Sequence, residues 1–573
     1  MEATEHTMAS WDGAELFYRA WLPASPTEKA LLLFHRGHEH SGRWRETVDA
    51  IALADVAVFA WDGRGHGRSA GERGAADNFA DVIRDVDAFA RHISEQYDIQ
   101  FENMIVLAHS LAAVSVAAWV HDYAPPIRAM ILAAAAFRVR LYVPFAIPLL
   151  RLRQRLFGPG EVKSYVKANL LTRDREQAEQ YDADPLIFRR IAVNVLLDLN
   201  DTAERLVADA GAIQTPTLMI GAGQDWIVRL DRQREFFDQL SSPLKEIEIF
   251  PAAYHAIFHD QDRHLVINRI RKFIQERFGE SVVQPSLLNA DQTGYTRTEY
   301  ERLKAGGGMK FGLARAGLRT AGRLSRGLEI GWKSGFDSGL SLDYVYENRP
   351  RGLLGIGRLI DKSYLNSIGW CGIRERKANL KNALRRAIQK LQGEDRPIRI
   401  LDIASGAGRY VLETMHEFPA RSIGARLRDN KPENVEAARA LAEEFGLKNV
   451  MAERGDAFDR DSFAAIRPQA TVGIVSGLYE LFPENEGVLN SLRGLAQAIE
   501  PGGFLIYTNQ PWHPQIEFIA RVLRNRDGQP WIMRRRTTAE IDELVRVAGF
   551  RKITMAVDQW GMFTVSLARR AES

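Results

Sequence analysis

Short apolar runs alternate with helix-like segments over most of the first half of the chain. The runs ALLLF, VAVFAW, MIVLA, AMILAAAA, TLMIGA and EIEIF each have the length of one strand. An alternation of this kind predicts a mostly parallel sheet covered by helices. We therefore place an α/β domain over residues 1–279, interrupted by a helical, arginine-bearing cap at about residues 137–210.

A second series of apolar runs begins near Pro397. The runs IRILDIA, ARSIGARL, NVMAERG, TVGIVSG, GGFLIYT, KITMAV and MFTVSLA predict seven strands of a doubly wound domain over residues 386–573. Residues 280–294 are polar and turn-rich and predict a linker. Residues 295–385 predict a basic, helical extension of the second domain. Within it, Gly312, Gly317, Gly322 and Gly327 weaken the basic helix at 309–333, which we expect to order on lipid or against that domain.

Composition excludes several classes of function. The 573 residues are 46% hydrophobic and 26% charged, which is typical of a globular protein. The net charge of +3 does not favour nucleic-acid binding. The single cysteine, Cys371, excludes a disulfide within the chain. The polar, acidic start and the lack of an apolar run of ~20 residues lead us to expect a cytoplasmic protein without a membrane span.

A candidate nucleophile lies in the segment from Met104 to Ala113, which predicts a strand that turns into a helix with Ser110 at the corner. In α/β folds with a serine at such a turn, the chain order is serine, acid, histidine. Asp225 and His255 follow in that order, each just after a predicted strand, where open α/β sheets place their sites. We expect His255 to take the Ser110 proton and Asp225 to orient the imidazole. The alternative is an ordinary buried serine.

The turn after the run ALLLF carries a second part of this site. An oxyanion formed by attack of the serine needs two backbone N–H donors. We expect Leu111, which follows the serine, and Gly37, in this turn, to supply them. His35, His38 and His40 have the alternative role of metal ligands. No partnering acid cluster is evident in the sequence, so we expect no metal.

These motifs resemble the monoacylglycerol lipase and lysophospholipase branch of the α/β-hydrolases, a serine aminopeptidase-like family. The matching pieces are HRGHEHSGRW, WDGRGHGRSAG, AHSLAA, YDADPL, GAGQD and YHAIFHD, which span nearly all of the first domain. The sequence departs from the family at Arg36, Ala108 and Ala112, where glycines are usual. The resemblance implies the α/β-hydrolase fold with a helical cap, a triad of Ser110, Asp225 and His255, and hydrolysis of acyl esters of lysophospholipid or monoacylglycerol type.

The cap has a distinctive composition. Residues 137–160 contain five arginines and no acid, and the apolar run LYVPFAIPLL lies between them. Apolar residues flanked by arginines favour docking on anionic lipid. One interpretation is therefore peripheral contact with an anionic membrane, at its inner surface. The alternative is a cap helix that packs on its own sheet and leaves the arginines solvated.

The loop after the first strand of the second series reads Asp402-Ile-Ala404-Ser-Gly406-Ala-Gly408. Glycines at this position let a ligand approach the backbone. The acid on the strand repels phosphate and favours a cationic ligand such as the amino group of S-adenosylmethionine. Asp429 follows Gly408 by 21 residues, where a ribose-binding acid is expected. Its alternative role is to cap the next helix.

Further motifs extend this pattern over residues 290–573. They are RGDAF, in which Asp456 is placed to accept from an adenine amino group, and SGFDSGLSLDYVYEN, YLNSIGWCGIRERK, SGLYELFPEN and YTNQPWHPQ. This half resembles the class I S-adenosylmethionine-dependent methyltransferases, with a Rossmann-like fold. More narrowly, it is similar to a methyltransferase family found behind such hydrolases. The resemblance implies S-adenosylmethionine as cofactor, held by Asp402, Ala404, Gly406 and Gly408 at the methionine part, Asp429 at the ribose, and Asp456 and Ala457 at the adenine.

The methyl acceptor is less well defined. Tyr479, Glu480 and His513 follow the fourth and fifth predicted strands, where they would orient or deprotonate an acceptor. The alternative for all three is packing. Methyl transfer by direct displacement mainly requires in-line positioning, so neither a particular base nor a metal is demanded. The two halves predict a bifunctional enzyme; in the alternative, one half only recruits lipid or binds cofactor for regulation.

Overall fold

The computed structural model describes residues 2–281, 285–418 and 423–572. The chain divides into two compact units, residues 1–284 and 285–573. Each unit contains a large sheet made mostly of parallel strands and covered by helices. This confirms the α/β class predicted from the two series of apolar runs.

The first unit has an eight-stranded sheet in the order β1-β2-β4-β3-β5-β6-β9-β10, counted over its described residues. Its strands, with those of a separate antiparallel β7–β8 pair, are β1 (Ala3–Ala9), β2 (Glu15–Trp21), β3 (Ala30–Phe34), β4 (Ala57–Trp61), β5 (Met104–His109), β6 (Ala129–Ala133), β7 (Glu161–Lys163), β8 (Arg190–Ala192), β9 (Thr217–Ala222) and β10 (Lys245–Phe250). Strands β3, β4, β5, β6, β9 and β10 run parallel, so their carboxyl ends share one edge.

Helices cover both faces of this sheet and form the cap. They are α1 (Arg45–Ile51), α2 (Phe79–Tyr97), α3 (Leu111–Tyr123), α4 (Ala146–Phe157), α5 (Ala168–Leu171), α6 (Arg175–Ala183), α7 (Val193–Ala208), α8 (Leu230–Gln239) and α9 (Arg263–Gly279). The predicted cap segment contains helices α4 to α7 and the antiparallel β7–β8 pair. Helix α9 closes the unit because Val266, Ile270, Phe273 and Ile274 form one apolar stripe that packs in the core under the sheet.

The second unit has a seven-stranded sheet in the order β13-β12-β11-β14-β15-β17-β16, counted over its described residues. Its strands are β11 (Ile398–Ile403), β12 (Ile423–Asp429), β13 (Val450–Arg454), β14 (Ala470–Val475), β15 (Ile499–Asn509), β16 (Phe550–Val557) and β17 (Thr564–Arg570). The strand order reverses between β11 and β14. In open α/β sheets, ligands bind in the crevice at the carboxyl ends of the strands beside such a reversal.

The helices of the second unit pack on this sheet and on one another. They are α10 (Ala290–Thr293), α11 (Tyr295–Lys304), α12 (Met309–Gly322), α13 (Arg326–Ser334), α14 (Gly339–Glu347), α15 (Leu354–Leu365), α16 (Ile368–Gly393), α17 (Arg409–His416), α18 (Pro432–Glu444), α19 (Arg460–Ala464), α20 (Asn485–Ala498), α21 (Ile516–Val522) and α22 (Thr538–Val547). Helix α12 lies against α21, since Arg315 donates to the carbonyl of Arg521. Among the described residues, no helix is both long and apolar enough to cross a membrane.

The predicted linker, residues 280–294, differs from the structure in its second half. Residues 282–284 lie outside the described residues. Residues 285–294 belong to the second unit. Leu288 packs against its core, and Asp291 Oδ2 accepts the N–H of Asn485 at 2.8 Å. The polar composition of this stretch reflects side chains that bind within the fold, so it does not mark a free linker.

The predicted boundary between residues 385 and 386 falls inside helix α16. The helix continues through it because Leu384, Ile388 and Leu391 recur at helical spacing and are buried in the core beside β11. The extension and the methyltransferase-like sheet therefore share one helix.

Candidate functional site

Ser110 occupies the corner between β5 and α3. Its φ of 59° lies in the left-handed region, which costs about 1–3 kcal/mol for a residue with a side chain. The Ser110 N–H donates to the carbonyl of Ala133 at 2.9 Å, and its own carbonyl accepts from Ala136 at 3.1 Å. Ala108 and Ala112 are buried on either side of the serine. The corner thus accommodates methyl groups at the two positions where glycines are usual.

The structure brings Ser110, Asp225 and His255 together at the carboxyl ends of β5, β9 and β10. Asp225 Oδ2 lies 2.8 Å from His255 Nδ1, and His255 Nε2 lies 2.8 Å from Ser110 Oγ. An ionised carboxylate only accepts, so Nδ1 carries the proton and Nε2 accepts the serine hydroxyl proton. Asp225 Oδ1 also accepts the N–H groups of Ile227 and Val228, each at 2.8 Å, which fixes the carboxylate.

The two predicted oxyanion donors lie beside each other. A Cβ placed on Gly37 would lie 3.7 Å from Leu111 Cδ1. Leu111 is the first residue of α3, so its N–H has no acceptor within the helix. A cavity of about 80 Å³ adjoins both residues. Its apolar walls include Trp61, Phe79, Val82, Ile191 and Val195.

Arg36 stands in this turn where glycine is usual, and a buried ion pair accommodates it. Its guanidinium donates to Glu39 Oε1 at 2.9 Å and lies over the Tyr181 ring at 4.8 Å. Burial opposes ionisation of Glu39, but the Arg36 guanidinium helps to hold its pKa far below the usual range. Sequence analysis missed this pair, although the acid three residues after the arginine was a signal for it.

Two histidines of the same turn, His35 and His40, contact neighbouring loops, and the third, His38, is buried. His35 Nε2 accepts the N–H of Gly63 at 2.9 Å, and His40 Nε2 lies 2.9 Å from Asp184 Oδ2. Burial lowers the pKa of His38 to about 4, so its imidazole is neutral near pH 7. These contacts tie the oxyanion turn to neighbouring loops and account for His35 and His40 structurally.

Helix α4 of the cap carries an exposed apolar stripe. Phe145, Leu149, Leu152 and Leu156 recur at intervals of three and four residues, which places them on one face. Each is more than half exposed. The helix therefore does not pack its apolar side on its own sheet, which was the alternative derived from sequence.

The second candidate site begins at the loop between β11 and α17. Ala404, Gly406 and Gly408 all have left-handed φ values, of 51°, 56° and 63°. A Cβ on Gly406 would meet no atom within 4 Å, whereas one on Gly408 would lie 2.6 Å from Leu427 Cδ1. Gly406 thus leaves the backbone open to a ligand, and Gly408 permits close packing on β12.

Asp429, the last residue of β12, reaches across to this loop. Its Oδ2 accepts the N–H of Gly406 at 2.9 Å. Its Oδ1 accepts from the Lys431 N–H at 2.9 Å and from Asn434 Nδ2 at 3.0 Å. The carboxylate is held at the mouth of the glycine loop, where the ribose-binding acid was predicted. Capping of helix α18, the alternative role of Asp429, explains the hydrogen bonds of Oδ1 but not that of Oδ2.

Asp456 and Ala457 follow β13, on the far side of β12 from the glycine loop. Asp456 is exposed, and its Oδ1 accepts the N–H of Phe458 at 2.9 Å. Ala457 is buried, and its carbonyl accepts from the Ser491 hydroxyl at 2.6 Å. The order of strands therefore places these two residues beyond Asp429, counted from the glycine loop.

Asp402 differs from the sequence prediction. Its side chain has no exposed surface, and the Tyr410 hydroxyl lies 2.8 and 2.7 Å from its two carboxyl oxygens. Burial, with a smaller contribution from Asp429, raises its pKa to about 8. Asp402 is thus a largely neutral acid at pH 7 beneath the glycine loop. It contacts Tyr410 and does not present a negative charge to the crevice, so its predicted role is corrected.

The three predicted acceptor residues have different surroundings. Tyr479 is buried and its hydroxyl donates to Ser491 at 3.0 Å, as in the packing alternative. Burial lowers the pKa of His513 to about 4, and its Nδ1 accepts a backbone N–H, so the neutral ring carries its proton on Nε2. It is therefore a donor and not a base. Glu480 Oε1 lies 3.7 Å from Arg376 Nη1.

Sequence analysis missed Arg376, a buried cation on α16. Its guanidinium lies against Gly477, just after β14, and 5.2 Å from the centroid of the Phe563 ring. The side chain is only 4% exposed. A signal was available, because Arg376 interrupts the apolar stripe of α16 between Ile373 and Leu380.

The two units of the chain are similar to two different groups of known proteins. A family profile described as "Putative methyltransferase" matches residues 270–570, and one described as "Serine aminopeptidase, S33" matches residues 25–262. The Escherichia coli protein YnbC is 46% identical to this chain over 579 residues, and the alignment covers 99% of each protein. The monoacylglycerol lipase of Mycolicibacterium smegmatis is 24% identical over 273 residues, 47% of this chain and 96% of its own. The human monoglyceride lipase is 25% identical over 280 residues, 46% of this chain and 88% of its own.

We expect Asp402→Asn to remove a pH dependence of stability. The folded-state pKa of about 8 lies above that of an unfolded aspartate, near 4. The carboxyl group thus stabilises the fold fully below about pH 4 and loses this contribution as the pH rises through about 8. Relative to Asp402→Asn, the wild type should lose about 1.4 kcal/mol of unfolding free energy per pH unit. Urea denaturation from pH 5.5 to 7.5 measures this.

The matched control is Asp461→Asn, which changes an exposed carboxyl group of the same unit. Its difference from the wild type should stay nearly constant over this range. A constant difference for Asp402→Asn as well would contradict the neutral, buried state of Asp402.

Proposed function

Because the chain belongs to the family described as "Putative methyltransferase" and carries a hydrolase domain ahead of it, we propose a bifunctional enzyme. The first unit cleaves acyl esters of monoacylglycerol or lysophospholipid type. The second transfers a methyl group from S-adenosylmethionine to a lipid-related or small-molecule acceptor. The alternative, in which one half only recruits lipid or binds cofactor for regulation, is separated by the experiments below.

The observation that carries the hydrolase proposal is the unbroken hydrogen-bond chain from Asp225 through His255 to Ser110. Ser110 Oγ attacks the ester carbonyl while His255 Nε2 takes its proton. Asp225 holds the imidazole in this tautomer and stabilises the imidazolium that forms. The N–H groups of Gly37 and Leu111 bind the oxyanion. His255 then protonates the leaving alcohol, and water enters to release the acid.

Two observations support a lipid-like ester as substrate. The cavity beside Gly37 and Leu111 has mainly apolar walls. The relatives that match the first unit bear the names monoacylglycerol lipase and monoglyceride lipase. An apolar cavity next to the oxyanion donors suits an alkyl or acyl group of the ester.

We extend the proposal to the surface of the cap, which would dock on a membrane from the cytoplasmic side. The stripe from Phe145 to Leu156 supplies exposed apolar area that lipid would bury, at about 25 cal/mol per Å². Arg138 pairs with Glu204 and Arg151 with Asp201, so part of the positive charge is already neutralised. Apolar contact is therefore the larger contribution, and attraction to anionic lipid the smaller.

The residues of the second crevice fit S-adenosylmethionine. The open space over Gly406 admits a ligand against the backbone, and the Asp429 carboxylate faces the same loop. When bound, the cofactor supplies a methyl group on a sulfonium. Asp429 would hold the ribose hydroxyls, Asp456 and Ala457 the adenine edge, and the backbone of Ala404 and Gly406 the amino-acid end.

The chain's own contribution to methyl transfer is positioning. His513 can donate a hydrogen bond from Nε2 to an acceptor. Glu480, which is buried just after β14 and 3.7 Å from Arg376, is the proposed proton acceptor. Tyr479 is committed to Ser491 and serves packing.

We expect a fluorophosphonate probe to label the wild type at Ser110 and to leave Ser110→Ala unlabelled. The same substitution should lower hydrolysis of a monoacylglycerol by at least about a thousandfold, because the nucleophile is lost. Ser242→Ala is the matched control, since it removes a buried hydroxyl of the same unit that bonds to Leu244 and does not line the cavity. Wild-type protein that binds no probe would assign the first unit to lipid recruitment.

We expect Asp429→Ala to weaken binding of S-adenosylhomocysteine by about 10- to 100-fold, because two ribose hydroxyls lose a charged acceptor. Calorimetric titration of the full chain measures this. Glu433→Gln, which changes an exposed acid in the first turn of α18, is the control and should bind as the wild type does. Unchanged affinity in Asp429→Ala would overturn the ribose assignment.

We expect the double substitution Leu149→Glu and Leu156→Glu to lower vesicle binding at least about tenfold, because it places two charges in the apolar stripe. Sedimentation with vesicles of zwitterionic lipid containing an anionic fraction measures the bound share. Gln154→Glu changes charge off the stripe of the same helix and is the control. Equal binding by the double variant, or no binding by the wild type, would refute docking through the cap.

A further inference from the structure

We propose that Arg376 binds the carboxylate of the methionine portion of S-adenosylmethionine, at the β14 end of the crevice. This inference rests on the proposed methyltransferase function and assigns one end of its cofactor site. It concerns a residue on α16, ahead of the first strand of the sheet and outside the glycine loop.

The first observation is that Arg376 is buried without a full set of partners. The side chain is 4% exposed, and among the described residues no acceptor pairs with its Nε. Glu480 Oε1 is 3.7 Å from Nη1, which is beyond hydrogen-bonding distance. A guanidinium has five N–H donors, and leaving them unpaired in the interior is costly. A planar pair of ligand oxygens would satisfy this fork.

The second observation is where the guanidinium lies. A Cβ on Gly477 would come within 3.1 Å of Arg376 Nη2, so the guanidinium lies close against the backbone just after β14. Gly477 has a φ of 67°, and its N–H donates to Thr508 Oγ1 at 2.9 Å, which fixes this loop. Burial raises the pKa of Tyr410, and the charge of Arg376 opposes that rise. The charge of Arg376 therefore acts on the tyrosine whose hydroxyl contacts Asp402.

The order of strands gives the direction of the ligand. Asp456 follows β13, Asp429 ends β12, the glycine loop follows β11, and Arg376 lies at the end of β14. Neighbouring strands are ~4.8 Å apart, so a ligand with its adenine near β13 and its ribose at β12 extends toward β14. The end that arrives there is the amino-acid end, which carries a carboxylate. A guanidinium at this end pairs with the ligand's carboxylate, and the acids at the other end accept hydrogen bonds from the neutral ribose hydroxyls and adenine amino group.

A carboxylate on the methyl acceptor would suit the same guanidinium. The two sources are distinguished by a pair of cofactor analogues. S-adenosylhomocysteine carries the amino-acid carboxylate, whereas 5′-methylthioadenosine has the same adenine and ribose but lacks the amino-acid portion. If the carboxylate belongs to the cofactor, substitution of Arg376 would change the affinity for S-adenosylhomocysteine but not for 5′-methylthioadenosine.

The experiment is calorimetric titration of the full chain with each analogue. We expect Arg376→Met to weaken binding of S-adenosylhomocysteine by about 10- to 100-fold and binding of 5′-methylthioadenosine by less than about twofold. Arg376→Lys, which keeps the charge but loses the fork, should lie between Arg376→Met and the wild type for the first analogue. Lys381→Met removes a partly buried charge one turn along α16 and should leave both affinities unchanged.

Retained binding of 5′-methylthioadenosine also shows that the variant crevice is folded. Equal affinity of Arg376→Met and wild type for S-adenosylhomocysteine would overturn the inference while leaving the proposed function in place. So would equal weakening of both analogues in both Arg376 variants. Wild-type protein that binds neither analogue would overturn the methyltransferase proposal and this inference together.

Discussion

Both candidate sites depend on one constraint: a buried parallel strand must turn abruptly into a helix, and the corner needs left-handed backbone. Ser110 meets this requirement between β5 and α3, and Ala404, Gly406 and Gly408 meet it between β11 and α17. Such corners cost about 1–3 kcal/mol at each residue with a side chain, so the surrounding core has to hold them. In return, the first corner places the Ser110 hydroxyl against His255, and the second leaves open space over the Gly406 backbone.

The elements that local pattern determines were predictable from the sequence. Buried strands reveal themselves as apolar runs, and parallel order follows from the helices between them, so the carboxyl ends of the strands could be placed on one edge. That is why Ser110, Asp225 and His255, distant in sequence, were expected to meet, and the structure places them within hydrogen-bonding distance. The same reasoning predicted that Gly406 and Asp429 lie at one edge of the second sheet, and the Gly406 N–H donates a hydrogen bond to Asp429.

The parts that could not be predicted depend on charges that the fold buries. The Arg36–Glu39 pair is stabilised by surroundings brought from elsewhere in the chain, such as the Tyr181 ring. Asp402 was expected to display a negative charge, because its neighbours in sequence do not show that burial favours its neutral form. The prediction of a linker over residues 285–294 was wrong for a related reason. The polar side chain of Asp291 accepts a hydrogen bond from the Asn485 N–H within the fold. Composition alone does not separate a buried partner from a solvated one.

The crevice of the second unit has a polarity that follows from these buried charges. Protonation of Asp402 removes a negative charge from beneath the glycine loop, so Asp429 is left as the acid that faces it. At the opposite side of the strand reversal, the buried Arg376 guanidinium lies against Gly477 and 3.7 Å from Glu480, which is too far for a hydrogen bond. Under the proposed assignment, a ligand with hydroxyl groups at one end and a carboxylate at the other binds in one direction only. The proposed in-line methyl transfer requires a fixed direction, because the sulfonium must face the acceptor.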